Sequence, residues 1–271
     1  MGSVATNQPL PAANERKHAS EVFLFPKGEA AIYVSTLFEI GDSDQPHFHD
    51  EPHLAFILNG GLLDRRKSSE NERQSGALAF FHAGERHQTI TQTFPTKYVY
   101  LQFETDYFRR NPHIENRLKN SLRNSLNAKF LMLKIYREMR AADEFSPDSL
   151  EMLLQALLAG EAAGEKKRPA WLERIVEQLN DRWNEELSLI ELARAADVHP
   201  KTVSKYFPRF FRCTLGEYRR RLRIEKSLAL IKNSKLPLTE IAYECGFYDQ
   251  SHFTATFKKL TGFLPKQFQR L

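Results

Sequence analysis

Apolar and polar positions change their period twice along this chain. Between about Glu21 and Phe108, short runs rich in β-branched and aromatic residues alternate with Gly, Pro and Asp: VFLF, AIYVSTLFEI, HLAFILNGGLLDRR, ALAFFHAG, RHQTITQTF and KYVYLQFE. Runs of this length and punctuation predict strands. Six or more of them predict a small β-barrel or jelly roll. From about Pro112 to Gly164 the period becomes helical. Ile114, Leu118, Ser121, Leu122, Leu126 and Phe130 recur at three- and four-residue steps, as do Leu133, Tyr136 and Met139. That spacing predicts an amphipathic helix, or two end to end. Ser146-Pro147 marks another helix start, a cap followed by a first-turn proline. Leu150, Leu153, Leu154, Leu157 and Leu158 give that helix one broad apolar face. The segment GEAAGEKKRP, Gly160 to Pro169, is small, charged and closed by a proline, so a linker is expected there. Trp171, Ile175, Leu179 and Trp183 then open a further helical region.

These changes divide the chain. The expected order is a disordered tail over 1–20, a β-barrel domain over 21–108, a helical connector over 109–163, a linker over 164–170 and an all-α domain over 171–271. The class is α+β and multidomain.

The all-α region contains one pattern twice. LSLIELARAADVHPKTVSKYF runs from Leu187 to Phe207, and LPLTEIAYECGFYDQSHFTATF from Leu236 to Phe257. Leu189, Glu191, Leu192 and Ala193 align with Leu238, Glu240, Ile241 and Ala242. With one extra residue in the second turn, Val203 and Phe207 align with Phe253 and Phe257. Internal repetition fixes architecture, and here it predicts two helix-turn-helix units in tandem, joined by a long helix over about Leu215 to Asn233. Ala193 and Ala196 in the first copy, and Ala242 and Cys245 in the second, are small where a second helix must cross. Gly246 suits a left-handed turn residue, and Asp197 is an acceptable substitute. Val198 and Phe247 would anchor the turns. Val203, Tyr206 and Phe207 are expected inward, as are Phe253 and Phe257.

Charge sharpens this picture. The 271 residues carry a formal net charge of +5, and the basic residues gather late: RRRLR at Arg219 to Arg223, then Lys226, Lys232, Lys235, Lys258 and Lys259. Such a distribution suits a nucleic-acid partner; the plainer alternative is a set of solvated helix faces. Cys213 and Cys245 match no metal or redox spacing, which suits a reducing compartment. No apolar run approaches membrane-spanning length, and the N-terminus lacks the apolar core of a signal peptide. A cytoplasmic protein with no membrane partner is expected.

On the two reading helices, Lys201, Thr202, Ser204 and Lys205, and then Gln250, Ser251, His252 and Thr254, are left outward. Gln pairs with adenine, Lys with guanine, and Ser or Thr with several base edges, so these residues are the expected base contacts. Arg219, Arg220, Lys258 and Lys259 are expected at phosphates, which position a protein without reading sequence.

The region from Trp171 to Leu271 resembles the DNA-binding domain of the AraC family of bacterial transcription regulators. The resemblance rests on GEYRRRLRIEKSLALI (Gly216 to Ile231), IAYECGFYDQSHF (Ile241 to Phe253) and FKKLTGFLPKQF (Phe257 to Phe268). It implies one recognition helix in each of two successive major-groove segments of double-stranded operator DNA, about 34 Å apart by the general spacing rule for paired reading helices. It also implies an effector-sensing N-terminal domain, a homodimer and a contact with RNA polymerase. Three residues depart from the pattern. Arg212 stands where the family, and the second repeat at Gly262, have glycine. Pro208 is expected to truncate or kink the first recognition helix. Ala255 replaces a frequent arginine.

The β segment holds a second constellation: Gly41, His47, His49, His53 and Gly60, then Gly76, His82, Gly84 and His87. The spacing resembles the two cupin motifs, with His53 in place of the usual glutamate and His82 in place of a usual proline. In metal cupins two histidines, a glutamate and a third histidine hold one divalent ion. An all-imidazole set of His47, His49, His53 and His87 could hold zinc, nickel, copper or iron, because His-x-His on a strand points both rings to one face. The alternative is a pocket for an organic effector, or an empty one. His82 is expected to be a turn residue. Phe56, Leu58 and Tyr100 are expected near the histidines. Leu118, Leu122, Leu126 and Phe130 either form the dimer contact or pack on the chain's own barrel.

The chain is therefore expected to be a DNA-binding transcription regulator, not an enzyme, with a small-molecule or metal effector. The rival is a metal-dependent cupin enzyme carrying a DNA-binding module, against which no acidic residue completes the usual ligand set.

Overall fold

The computed structural model describes residues 19–24, 30–37, 45–111, 113–116, 118, 122, 126–159 and 168–271. Most of the expected tail, most of the expected linker and Gly41 lie outside the described residues.

Among the described residues, six strands form one antiparallel sheet: β1 (Ala19–Leu24), β2 (Ala30–Leu37), β3 (His53–Arg66), β4 (Ser69–Gln74), β5 (Leu78–Phe81) and β6 (His87–Phe103). Their order is β1-β2-β6-β3-β4, with β5 also paired to β3. Two expected strands, RHQTITQTF and KYVYLQFE, are one strand, β6. It passes through Pro95 because the ladder with β3 shifts register between Ile57 and Leu62. Gly60 at φ 80° lies in that irregular stretch, and a Cβ there would sit 2.5 Å from Thr96 Oγ1. Such a bulge is where a sheet tolerates proline. β4 was not expected: its sequence, SENERQ, is polar and almost wholly exposed, so it lacks the apolar alternation that marks a half-buried strand.

Strand alternation gives the sheet two faces. Leu54, Phe56 and Leu58 of β3, with Val99, Leu101 and Phe103 of β6, are fully buried in one cluster with the helices. Those helices are α1 (Thr105–Arg110), α2 (Leu126–Ala141) and α3 (Ser146–Ala159). Leu118 and Phe130 are buried in the same cluster, with Leu122 and Leu126 packed against it. These side chains thus pack with the chain's own core.

The C-terminal part is all helical: α4 (Ala170–Asp181), α5 (Leu189–Ala195), α6 (Pro200–Phe211), α7 (Leu215–Asn233), α8 (Leu238–Glu244), α9 (Gln250–Thr261) and α10 (Pro265–Gln269). Ser188 caps α5 through a reciprocal box with Glu191, an arrangement that satisfies two otherwise orphaned donors. The 19 residues of α7 give a rod of about 28 Å. Its leading half (Tyr218, Leu222) packs into the cluster around α5 and α6. Its trailing half (Ile224, Leu228, Ile231) packs with α8, α9 and the N-terminal core.

α2 lies against α7 and α9. Lys129 pairs with Glu225, Arg221 donates to Asn127 Oδ1 at 2.8 Å, and Arg137 donates to the Gly262 carbonyl at 3.1 Å. Leu228 comes within 3.2 Å of where a Cβ on Gly76 would lie. No helix among the described residues is long and apolar enough to cross a membrane.

Candidate nucleic-acid interface and histidine pocket

The two repeats fold alike. α5 and α8 begin at the aligned Leu189 and Leu238. The turn residues Asp197 and Gly246 both have positive φ, 56° and 72°. Ala193, Ala196, Ala242 and Cys245 are buried where the reading helices cross. The caps stand at equivalent positions but differ in residue. His199 accepts from the Lys201 N–H at the start of α6, and Asp249 accepts from the His252 N–H at the start of α9. Both reading helices end in the left-handed region, at Arg212 (φ 50°) and Gly262 (φ 85°).

Pro208 does not truncate α6, which runs on to Phe211. Phe207 and Phe211 pack at 4.5 Å between ring centroids, and both meet Tyr218. This aromatic cluster holds the last turn despite the missing N–H. Tyr206, expected inward, is half-buried. It lies at the edge of the apolar stripe, with Lys205 and Arg209 over its ring.

Lys201, Ser204, Lys205, Ser251 and His252 are exposed, and Thr202, Gln250 and Thr254 half-buried. Thr239 donates to Gln250 Oε1 at 2.6 Å, which fixes the amide at the first turn of α9. His252 rests edge-on against Phe247. Arg220, Lys258 and Lys259 are exposed. Arg219, expected at a phosphate, is engaged within the chain: it donates to the Leu187 and Glu185 carbonyls at 2.9 and 2.8 Å.

Arg223 was missed by sequence reasoning. It is buried and donates to the carbonyls of Trp183, Glu185 and Gly246. One guanidinium thus joins the loop before α5, the middle of α7 and the turn before α9. A Cβ on Gly246 would lie 2.4 Å from the Asn184 carbonyl oxygen and 2.8 Å from this guanidinium, so the turn admits glycine alone. The signal was available, since Arg223 sits between Leu222 and Ile224 on the apolar side of the helix.

A helix-turn-helix domain family model matches residues 192–271. The HTH-type transcriptional activator RhaS of Salmonella typhimurium is 28% identical over 269 residues, covering 92% of this chain and 95% of the relative. RhaS of Escherichia fergusonii is 20% identical over the same shares. The transcriptional activator RhrA of Rhizobium meliloti is 36% identical over 92 residues, which cover 32% of this chain and 28% of the relative. The chain is a DNA-binding transcription regulator of the helix-turn-helix type, similar along most of its length to these activators. Its helical part is a DNA-binding helix-turn-helix domain, preceded by a domain built on a β-sheet.

The regulator brings its histidines together on the sheet domain. His47 and His49 lie on the segment before β3, His53 begins β3 and His87 begins β6. His47 and His87 exchange both backbone hydrogen bonds at 2.9 Å, and the Gly84 N–H donates to the His49 carbonyl at 2.8 Å. Ring nitrogens of His47, His49 and His87 lie within 4.8 Å of one another. The His53 ring is 4.6 Å from that of His49 and stacks on Phe81 at 4.6 Å. Burial, and then the other imidazoles, push His49 down to about 4 and His53 to about 2. Burial also lowers His87. Held this low, the His49 and His53 rings keep a lone pair at pH 7. His82 lies apart and pairs with Glu115 at 2.6 Å. Tyr100 meets His53 edge-on at 5.4 Å. Phe56 and Leu58, expected beside the histidines, are on the opposite face because they alternate with His53.

Proposed function

We propose that this regulator reads an operator with both recognition helices. Lys201, Thr202, Ser204 and Lys205 of α6, and Gln250, Ser251, His252 and Thr254 of α9, would meet base edges in successive major-groove segments. Arg220, Lys258 and Lys259 would hold phosphates, while Arg219 acts mainly as a positioning residue. The observation that supports this most is the pair of matched turns, each followed by a helix on which Lys201, Thr202 and Ser204 occupy the same positions as Ser251, His252 and Thr254. The N-terminal sheet serves as a cupin-like sensor barrel whose effector binds at His47, His49, His53 and His87. Occupancy reaches DNA through α2, which touches both α7 and α9. Such coupling requires the effector to bind the DNA-competent and incompetent arrangements with different affinity. The activator names of the relatives support a role in activation, with RNA polymerase as the partner.

Selection of bound duplexes from a random pool, followed by competition binding, tests this. Gln250→Ala should cost about 1–3 kcal/mol at one operator position and relax specificity there. Lys258→Ala should instead weaken all sequences alike and reduce the salt slope by about 1. Uniform loss with Gln250→Ala would remove the base-reading role.

A further inference from the structure

The histidine pocket has the geometry of a metal site. His47 Nδ1 lies 2.8 Å from the Gln45 carbonyl, and His87 Nδ1 lies 3.0 Å from the Glu85 carbonyl. A carbonyl only accepts, so Nδ1 carries the proton in both rings and each Nε2 presents a lone pair. A hydrogen bond of this kind on the distal nitrogen is how ligating imidazoles are oriented. Across the pocket, His47 Nε2 and His49 Nε2 are 3.2 Å apart. Two nitrogens bound tetrahedrally at 2.0–2.1 Å would be separated by about 3.3 Å.

The outer layer is firm. Glu85, whose carbonyl orients His87, also accepts from Arg66 at 2.8 Å and from the His82 N–H at 2.9 Å. Arg66 is in turn held by the buried Asp64 and lies over the Phe81 ring. The ring-bearing segment is thus fixed from outside, while the nitrogens converge inside.

We infer that His47, His49 and His87 bind a divalent transition-metal ion, that His53 closes the fourth position, and that this ion is the signal the regulator reads. The last clause rests on the sensor role proposed above. An all-imidazole set selects borderline ions such as zinc, nickel, cobalt or copper, and disfavours magnesium and calcium, which require oxygen ligands. The ion pins the segment carrying His47 and His49 to the first residues of β3 and β6. The turn that also carries His82 then connects this clamp, through Glu115, to the helical residues 113–116 ahead of α2. Metal occupancy is thereby linked to the helix that touches the DNA-binding units.

The test uses the full chain, stripped by chelator dialysis and titrated with Co²⁺ and Zn²⁺. The expected result is one equivalent bound, with the intense visible bands of four-coordinate cobalt displaced by zinc. His47→Ala and His87→Ala should each weaken binding at least about 10-fold, whereas His82→Ala should not. His49→Gln, with its folding checked by circular dichroism, guards against a variant that fails to fold. Absence of stoichiometric binding, or binding unchanged in His47→Ala and His87→Ala, overturns the site. The selected operator duplex is then bound with and without Zn²⁺. A change of about 5–150-fold, lost in His49→Gln, is expected. Metal binding with operator affinity unchanged overturns the signal while leaving the site. Failure to bind any operator in either state counts instead against the regulator's base-reading proposal.

Discussion

Arg212 is strained where the repeat would place glycine. Its φ of 50° ends α6 in the left-handed region, as Gly262 ends α9. That region costs an ordinary residue about 1–2 kcal/mol, partly offset in a glycine by its greater freedom in the unfolded chain. Arg212→Gly should therefore raise stability by roughly 0.5–1 kcal/mol in urea melts, and no gain would show that the arginine's own contacts compensate. The position was legible from the aligned repeats alone. The orientations of Phe56 and Leu58 were legible too, had strand alternation been followed outward from His53. By contrast, nothing local shows that Arg219 turns back to the Leu187 and Glu185 carbonyls, because that bond spans residues distant in sequence.

At the scale of elements, tandem helix-turn-helix units announce themselves because each needs small crossing residues, a left-handed turn and an apolar anchor at fixed offsets. β4 announces nothing, since an exposed edge strand needs no apolar alternation. Pro208 misleads because its local penalty is outweighed by the packing of Phe207, Phe211 and Tyr218. α7 depends on Arg223 more than its apolar stripe implies. Arg223→Met would leave the Trp183, Glu185 and Gly246 carbonyls without this donor. It should lower stability by about 2–3 kcal/mol and weaken operator binding together, both measurable on one preparation by urea unfolding and fluorescence anisotropy. A stability loss with operator affinity intact would show that the arginine does not align the two units.

At the scale of the whole molecule, the docking of the sheet domain on the helical domain brings two lysines together. Lys232 of α7 is lowered to about 8, first by burial and then by Lys97 of β6. Each lysine lies over an aromatic ring, Lys232 over Phe268 and Lys97 over Tyr136. The folded form of Lys232 releases its proton before the unfolded form, whose ordinary value is 10.5. Stability therefore rises as pH climbs from about 8 to about 10.5, and the full penalty is present below 8. The melting temperature of Lys232→Met should lack this rise, so the parent should gain on the variant across that window. Parallel pH profiles for the two would mean that Lys232 is solvated in solution. No periodicity could have revealed this pairing, because the two lysines are brought together only when the domains dock.

The guanidinium that ties three backbone carbonyls across the helical domain has a consequence for the DNA. If both units hold DNA as proposed, two grips tied by one such pin would behave as a caliper, not as beads on a string. One inserted base pair turns the far groove by about 35°, and a fixed caliper cannot follow it. Promoters read in this way would be constrained in helical phase as well as in the letters they spell.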